Sequence, residues 1–172
     1  GAFPVGTGFT AVTPIRLADT RQPAGAPRHG AGVRLVVDVA TAAGVPVGAR
    51  AVALSVTASD AAAGGFVSVG PCDLPLGTTS NVNVAVGATA PNLVITEPDA
   101  TGRVCVVSNV ATHLLVDLFG SFAADADMGV VDADRVLDTR LTAGSRLVGG
   151  GTVTVRVAGR SGVPADASGV VL

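Results

Sequence analysis

The clearest potential for chemistry lies in a histidine and an aspartate four positions apart, His113 and Asp117. In a β-strand this spacing places both side chains on the same face of the sheet. With one of the chain's serines they could form a hydrolytic triad, in which the histidine is the general base. The chain lacks a Gly-x-Ser-x-Gly segment, the turn that exposes the nucleophilic serine in many hydrolases. We therefore predict no catalytic residues and keep a hydrolase using these two residues as the third hypothesis.

A second set of charged residues recurs in a fixed pattern, Arg-x-x-Asp-Thr-Arg. The first copy spans residues 16–21 and the second spans residues 135–140, so they lie 119 residues apart (135 minus 16). Such a cluster could bind a ligand. An aspartate that accepts hydrogen bonds from arginine and backbone N–H groups also fixes a strand to the following turn, and the recurrence favours this role. We predict that the structural polar cluster of the chain consists of Arg16, Asp19, Arg21, Arg135, Asp138, Arg140, His113 and Asp117.

Three asparagines, Asn81, Asn83 and Asn92, could hydrogen-bond the hydroxyl groups of a sugar. Asparagine side chains more commonly cap turns and strand edges. Sugar-binding faces usually contain aromatic side chains on which the rings stack, and this chain has no Trp and no Tyr. A stacking-type glycan site is therefore disfavoured, whereas a polar site at the asparagines stays open.

Spaced carboxylates between the two motif copies could hold Ca²⁺, which prefers oxygen ligands. The segment lacks the glycine and the terminal glutamate of an EF-hand loop. We therefore predict a solvated linker, no metal and no cofactor, with a calcium site as the alternative at Asp125, Asp127, Asp132 and Asp134.

The chain has two cysteines, Cys72 and Cys105. They could be buried free thiols. A metal site is disfavoured because the chain has no Cys-x-x-Cys and its histidines are not at ligand spacing. We predict a disulfide, because the other features of the chain are typical of an extracellular protein.

The charge and hydropathy pattern excludes two kinds of partner. The chain has 11 basic residues and a net charge of −2, without a basic cluster. Nucleic-acid binding requires concentrated positive charge, so we expect no nucleic-acid partner. The apolar runs are too short to cross a bilayer, so we expect no membrane insertion.

The composition predicts an all-β fold. Lys is absent, and Glu, Gln and Met occur once each, so strong helix formers are rare. Short alternating segments are separated by clusters of turn-forming residues, which is typical of an antiparallel β-sandwich (jelly-roll or Ig-like) or a closed barrel. Eight strands are predicted at Ile15–Thr20, Val33–Ala40, Ala51–Ala58, Phe66–Gly70, Asn81–Val86, Leu93–Thr96, Arg103–Ser108 and His113–Phe119.

Internal similarity predicts a tandem repeat of about 119 residues whose second copy is incomplete. Gly-Val-Pro follows each charged motif, at 44–46 and 162–164. Alternation in the second copy predicts a strand at Val153–Val157. The predicted organisation is the tail of a preceding repeat (1–8), a complete sandwich (9–122), a linker (123–127) and the N-terminal part of a second repeat (128–172).

Taken in order, these motifs resemble a known family. Beside the recurring Asp-Thr-Arg, they include Ser80-Asn81-Val82-Asn83, Asn92-Leu93-Val94 and the segment from Thr112 to Phe122. They resemble the Asp-Thr-Arg-type β-rich repeat modules of secreted and surface-attached actinobacterial proteins. The resemblance implies a β-sandwich appendage that lies in an array or beside a catalytic domain, in a protein that is secreted or on the cell surface.

The leading hypothesis is a non-catalytic structural or assembly module: a stalk, a spacer or a filament subunit. The alternative is a module that binds cell-envelope polysaccharide or another surface. The expected partners are neighbouring repeats or copies of the same protein that pair through β-strands, because unpaired strands in 128–172 would recruit other strands. A cell-envelope glycan is the other partner considered.

Overall fold

The structure, a computed structural model, describes residues 8–131, 134–141, 147–167 and 170. The chain divides into two compact units, Gly1–Val130 and Val131–Leu172. The described residues form eight β-strands. They form no helix, and so none that is long and apolar enough to cross a membrane. The predicted all-β class is confirmed.

All the strands belong to the first unit, and each overlaps a strand predicted from the sequence. They are β1 (Phe9–Asp19), β2 (Arg34–Asp38), β3 (Ala51–Ser59), β4 (Gly65–Pro71), β5 (Val82–Val84), β6 (Thr89–Thr96), β7 (Arg103–Ser108) and β8 (His113–Phe122). β1 begins earlier and β8 ends later than predicted because their outer ends pair, with Phe9 opposite Phe122. The rings of these two phenylalanines lie 4.9 Å apart.

The strands form two four-stranded antiparallel sheets in the orders β1-β8-β3-β6 and β2-β7-β4-β5. Chain neighbours in sequence mostly lie in different sheets, which is the strand order of an eight-stranded jelly roll. An Ig-like sandwich would instead keep strands A and B together in one sheet. The sheets do not close on each other, so the structure is a sandwich and the closed-barrel alternative is wrong.

The core lies between the two sheets, and its centre is the β3–β8 pair. Alternate residues of these two strands point inward, as the period of a half-buried strand requires. Burying each such side chain contributes about 1.5–3 kcal/mol relative to leaving it exposed. The large apolar side chains of the two strands that are fully buried are Val52, Leu54, Val56, Leu114, Val116 and Leu118.

A disulfide joins Cys72 to Cys105, as predicted, with the two Cα atoms 4.9 Å apart. Cys105 lies on β7 and Cys72 begins the loop that follows β4. This loop is also held by side chains of the same sheet. Arg34 donates hydrogen bonds to the carbonyl oxygens of Cys72 and Leu74, and the Ser68 hydroxyl donates to the carbonyl of Thr79. The loop is therefore fixed at both ends.

The edges of both sheets are poorly suited to pairing with another strand. The edge strands β1 and β6 contain Pro14 and Pro91, and proline lacks the N–H group that a new ladder needs. In the other sheet the edge strands β2 and β5 have only five and three residues. Short or proline-containing edge strands discourage edge-to-edge association.

The described residues of Val131–Leu172 contain turns and no β-ladder. The alternation at Val153–Val157 predicts a strand, and this prediction is wrong for the described part of the unit. A strand needs a neighbour that accepts and donates its backbone hydrogen bonds, and the described residues supply none. Of the predicted tail of a preceding repeat, residues 1–8, only Gly8 is among the described residues. The tandem repeat stays a prediction.

Candidate functional site

The first charged motif lies where β1 ends and the chain turns. Asp19 is the last residue of β1, and its side chain is only 12% exposed. Its Oδ1 accepts hydrogen bonds from the Arg21 backbone N–H at 3.0 Å and from the Arg21 Nε at 2.9 Å. Its Oδ2 accepts from the Arg21 Nη2 at 2.7 Å and from the Arg16 Nη1 at 2.8 Å. One carboxylate therefore closes the turn, as aspartate does in an Asx-turn.

The same motif is joined to the neighbouring strand by Asp117 of β8. Arg16 and Asp117 are directly opposite each other in the β1–β8 ladder. The Arg16 guanidinium donates from Nε to the Asp117 Oδ1 and from Nη2 to the Oδ2 at 3.2 Å, so the ion pair is bidentate. Arg16, Asp19, Arg21 and Asp117 together form what we call the Arg–Asp cluster. It brings together four of the predicted polar-cluster residues.

The charges of the Arg–Asp cluster stabilise one another. Hydrogen bonds from the Arg21 side chain and backbone, with the charges of Arg21 and Arg16, hold the pKa of Asp19 well below its usual range. The Asp117 carboxylate raises the pKa of Arg16, and Asp19 raises that of Arg21. A general acid or base needs a pKa near the working pH. Asp19 and its two arginines therefore stay ionised at neutral pH and are unsuited to proton transfer.

The second motif copy has the same local geometry in the second unit. Asp138 accepts from the Arg140 backbone N–H at 3.0 Å, from its Nε at 2.9 Å and from its Nη2 at 2.6 Å. The Nη1 of Arg135 donates to its Oδ2 at 2.9 Å. The Asp138 side chain is 8% exposed, and its pKa is lowered chiefly by Arg140. These hydrogen bonds all join residues two or three positions apart, so they are set by the local sequence.

His113 and Asp117 lie on the same face of β8, as their spacing predicts, but their side chains hydrogen-bond to different residues. His113 Nδ1 lies 3.3 Å from the carbonyl oxygen of Thr20, so this nitrogen carries the proton. Asp117 binds Arg16 instead. A triad requires the aspartate to orient the histidine through a hydrogen bond. The sequence-predicted pair is therefore not arranged as a base and its orienting group.

The ladder brings His113 next to two residues that sequence analysis missed, Ser59 and Asp60. Ser59 is opposite His113 in the β3–β8 ladder. The residues line a shallow surface depression of about 520 Å³ at the end of this sheet. Continuing the alternation of β3 places Ser59 on the outer face with Ser55 and Thr57, but its pairing with His113 depends on strand order and register. The lining of the depression is completed by Arg21, Gln22, Ala24, Gly25 and Ala26.

Three side chains of the depression, those of Ser59, Asp60 and His113, have the types of a triad but not its connections. The Ser59 Oγ is hydrogen-bonded to the Thr89 Oγ1 at 2.8 Å. Asp60 forms an ion pair with Arg28 at 2.8 Å, and this arginine is the main cause of the lowered pKa of Asp60. A nucleophilic serine has to reach the histidine that removes its proton. The depression therefore offers hydrogen-bonding groups without an activated nucleophile.

The asparagines considered as sugar ligands make hydrogen bonds within the fold. Asn92 lies on β6, and its Nδ2 donates to the Asn81 carbonyl oxygen at 2.7 Å, just before β5 of the other sheet. The Asn81 Oδ1 accepts from the Val69 N–H at 2.8 Å. The Asn83 Oδ1 accepts from the Ser80 hydroxyl at 2.9 Å. Asn81 and Asn92 thus bridge the two sheets.

Of the carboxylates considered for calcium, Asp132 lies outside the described residues. Asp134 accepts a hydrogen bond from the Ser161 hydroxyl. Across the part of the chain that the structure describes, no three or more His, Cys, Asp or Glu side chains group closely enough to hold a metal ion.

Buried polar atoms without partners can indicate a missing ligand. In the described part of the chain, every buried side-chain nitrogen and oxygen has a hydrogen-bond partner. Comparison of the chain with protein-family models, with curated proteins and with solved structures finds no match.

Proposed function

We propose that the chain is a non-catalytic structural and assembly module, a stalk, spacer or filament subunit of a secreted or surface-displayed protein. The observation that carries this proposal is the Arg–Asp cluster, whose recurring charges bind one another. Asp19 alone accepts four hydrogen bonds from two arginines. A ligand would have to break these bonds before it could bind the same groups. The motif is therefore best suited to holding the fold.

Mechanically, the Arg–Asp cluster fixes an edge strand to the centre of its sheet. β1 is the outermost strand, and its one sheet neighbour is β8. The Arg16–Asp117 pair adds a side-chain connection to the backbone ladder, and the Asp19 turn leads the chain away from the edge. Charge-assisted bidentate pairs are directional and stronger than neutral hydrogen bonds. Such a connection suits a module that transmits tension along an array.

Location outside the cytoplasm is supported by the Cys72–Cys105 disulfide. Disulfides form and persist in oxidising compartments and are rare in the reducing cytosol. The proposed location is the cell surface or the surrounding medium. The proposed partners are neighbouring repeats or copies of the same protein.

Binding experiments with the full chain test the structural proposal. In one assay the chain is titrated into purified cell-envelope polysaccharide and the heat of binding is measured by calorimetry. In the other the chain is applied to a glycan array and the bound protein is measured. A spacer gives no saturable signal in either assay. Saturable, dose-dependent binding would overturn the assignment as a simple spacer. Ester and peptide substrates test the hydrolase hypothesis in parallel, with His113→Ala as the variant that has to abolish any activity found.

A second candidate function is a binding module for cell-envelope polysaccharide, and the depression beside His113 favours it. Its lining offers the Gln22 amide, the His113 ring and the Asp60 carboxylate, which are suited to hydroxyl groups. If the polysaccharide binds there, His113→Ala and Gln22→Ala weaken binding while Asn83→Ala leaves it unchanged. Loss of binding with Asn83→Ala instead would assign the site to the asparagines.

A further inference from the structure

We infer that the segment Arg135–Asp138 is a docking site for an antiparallel β-strand of the β8 type, one with an aspartate among large aliphatic residues. The strand would lie beside this segment as β8 lies beside β1. The inference depends on the proposed assembly function and names the chemistry of the partner. It is carried by three observations on the second unit.

First, the turn that ends the segment already has the hydrogen bonds that its counterpart has when paired. The hydrogen bonds to Asp138 match those to Asp19, with Nη2–Oδ2 distances of 2.6 Å for Arg140 and 2.7 Å for Arg21. In the first unit the same segment pairs with β8, whereas the described residues of the second unit provide no such strand. A segment that is preorganised for pairing loses less entropy on binding.

Second, the charge pattern specifies an aspartate on the incoming strand. Arg16 donates from Nη1 to Asp19, and from Nε and Nη2 to Asp117 of β8. Arg135, at the corresponding position, likewise donates from Nη1 to Asp138. Among the described residues, no carboxylate plays the part of Asp117 for Arg135. An incoming aspartate would complete the bidentate pair that the first unit already has.

Third, apolar side chains near the segment are uncovered. Leu137 occupies the position of Ala18, which packs against the core and pairs with Val116 of β8. Leu137 is 43% exposed, and the nearby Leu141 is 83% exposed. Large aliphatic residues alternate along β8 at Leu114, Val116 and Leu118. A strand with this pattern would both cover Leu137 and place its aspartate opposite Arg135.

The corresponding strand of the first unit, β1, is less suited to pairing with the same incoming strand. Its β1 already pairs with β8 on one side, and Pro14 lies in the middle of the strand, where the ladder shifts register between Ala11 and Ile15. A new strand of the same kind would meet an edge that lacks an N–H donor. Strand addition is therefore directed to the second unit.

The probe is a synthetic peptide with the β8 sequence, His113–Phe122, carrying a fluorophore at its N-terminus, and its anisotropy is measured during titration with the full chain. We expect saturable binding. Substituting the peptide aspartate, Asp117→Asn, or the receptor arginine, Arg135→Gln, weakens binding by about tenfold, as expected for one charge-assisted pair. The matched control is Arg156→Gln, which removes an exposed arginine of the same unit outside the motif and leaves affinity unchanged.

A charge exchange between receptor and peptide tests the inference even if Arg135→Gln disturbs the folding of the second unit. The chain with Arg135→Asp should bind the peptide with Asp117→Arg more tightly than it binds the parent peptide. A photoreactive group in place of the peptide's Leu115 should cross-link to residues 134–141. Equal affinity of the Asp117→Asn peptide, cross-links confined to the first unit, or absence of saturable binding would each overturn the inference. The proposed structural function is contradicted by a different result, saturable binding of polysaccharide, so the two failures can be told apart.

Discussion

Arg16 and Asp117 lie directly opposite each other on β1 and β8, and their side chains form a bidentate ion pair across the ladder. They are 101 positions apart in sequence. Arg16 is 43% exposed and Asp117 is 22% exposed, so water weakens the pair. The contact nevertheless joins the edge strand to a strand in the centre of the sheet. We expect the pair to contribute modestly to stability and mainly to the attachment of β1.

A double-mutant cycle measures that contribution. Arg16→Gln and Asp117→Asn are made singly and together, and the free energy of unfolding is obtained from urea titrations followed by circular dichroism. We expect a coupling free energy of about 0.5–1 kcal/mol, the range for partly exposed ion pairs. A coupling of zero within error would show that the two side chains do not stabilise the β1–β8 pairing.

Asp19→Ala is expected to lower the free energy of unfolding by about 2 kcal/mol, because the nearly buried carboxylate accepts four hydrogen bonds, one of them from backbone. The measurement is the urea midpoint at neutral pH. The control is Asp73→Ala, which removes a carboxylate from an exposed position and should change stability by less than about 0.5 kcal/mol. Unchanged stability of Asp19→Ala would rule out a structural role for the motif.

The lowered pKa of Asp19 predicts acid sensitivity. Its pKa is lower in the folded than in the unfolded chain, so the unfolded chain binds more protons and stability rises with pH in this range. The stabilisation is complete above the ordinary aspartate pKa of about 3.9 and is lost as the pH falls towards the folded-state pKa. We therefore expect the stability difference between the wild type and Asp19→Asn to be smaller at pH 3 than at pH 6.

Urea titrations of both proteins at the two pH values test this expectation. A difference that is equal at both, or larger at pH 3, would contradict the assignment of the Asp19 carboxylate as an ionised acceptor.

Removing the disulfide with Cys72→Ala and Cys105→Ala is expected to cost about 3–4 kcal/mol. The bridge spans 33 positions, and opening a loop of that length restores entropy to the unfolded chain. The measurement is the Tm of the variant against the oxidised wild type. Reducing agent should lower the Tm of the wild type and leave that of the variant unchanged. An equal effect on both would indicate that another process is responsible.

Asn92→Ala tests whether the asparagines support the fold. It removes the Nδ2 that bridges to the Asn81 carbonyl in the other sheet, and we expect a loss of about 1 kcal/mol in the free energy of unfolding. Asn83→Ala is the comparison, because Asn83 bonds to the nearby Ser80 and not across the sheets. If Asn83→Ala destabilises the protein as much as Asn92→Ala, the bridge has no special role.

Several features of the fold are readable from the chain because they depend on neighbours in sequence. Alternation along β3 and β8 places Leu54 and Leu118 in the core, since the strand period fixes which face each side chain takes. β6 begins at Thr89 and not at the predicted Leu93, and β1 begins at Phe9 and not at the predicted Ile15. Its first residues have little alternation, and they form a strand because Phe9 pairs with Phe122.

The Asp-Thr-Arg turn is the clearest feature that the sequence by itself determined. Its hydrogen bonds connect Asp19 to residues two or three positions away, and the same bonds recur around Asp138, where the described residues form no sheet. Only the tertiary structure decided that β8 lies between β1 and β3, and hence that Asp117 binds Arg16 and His113 faces Ser59. Residues distant in sequence become neighbours through strand order and register. Alternation along a strand decides which face each side chain takes, but it does not decide which strand lies beside it.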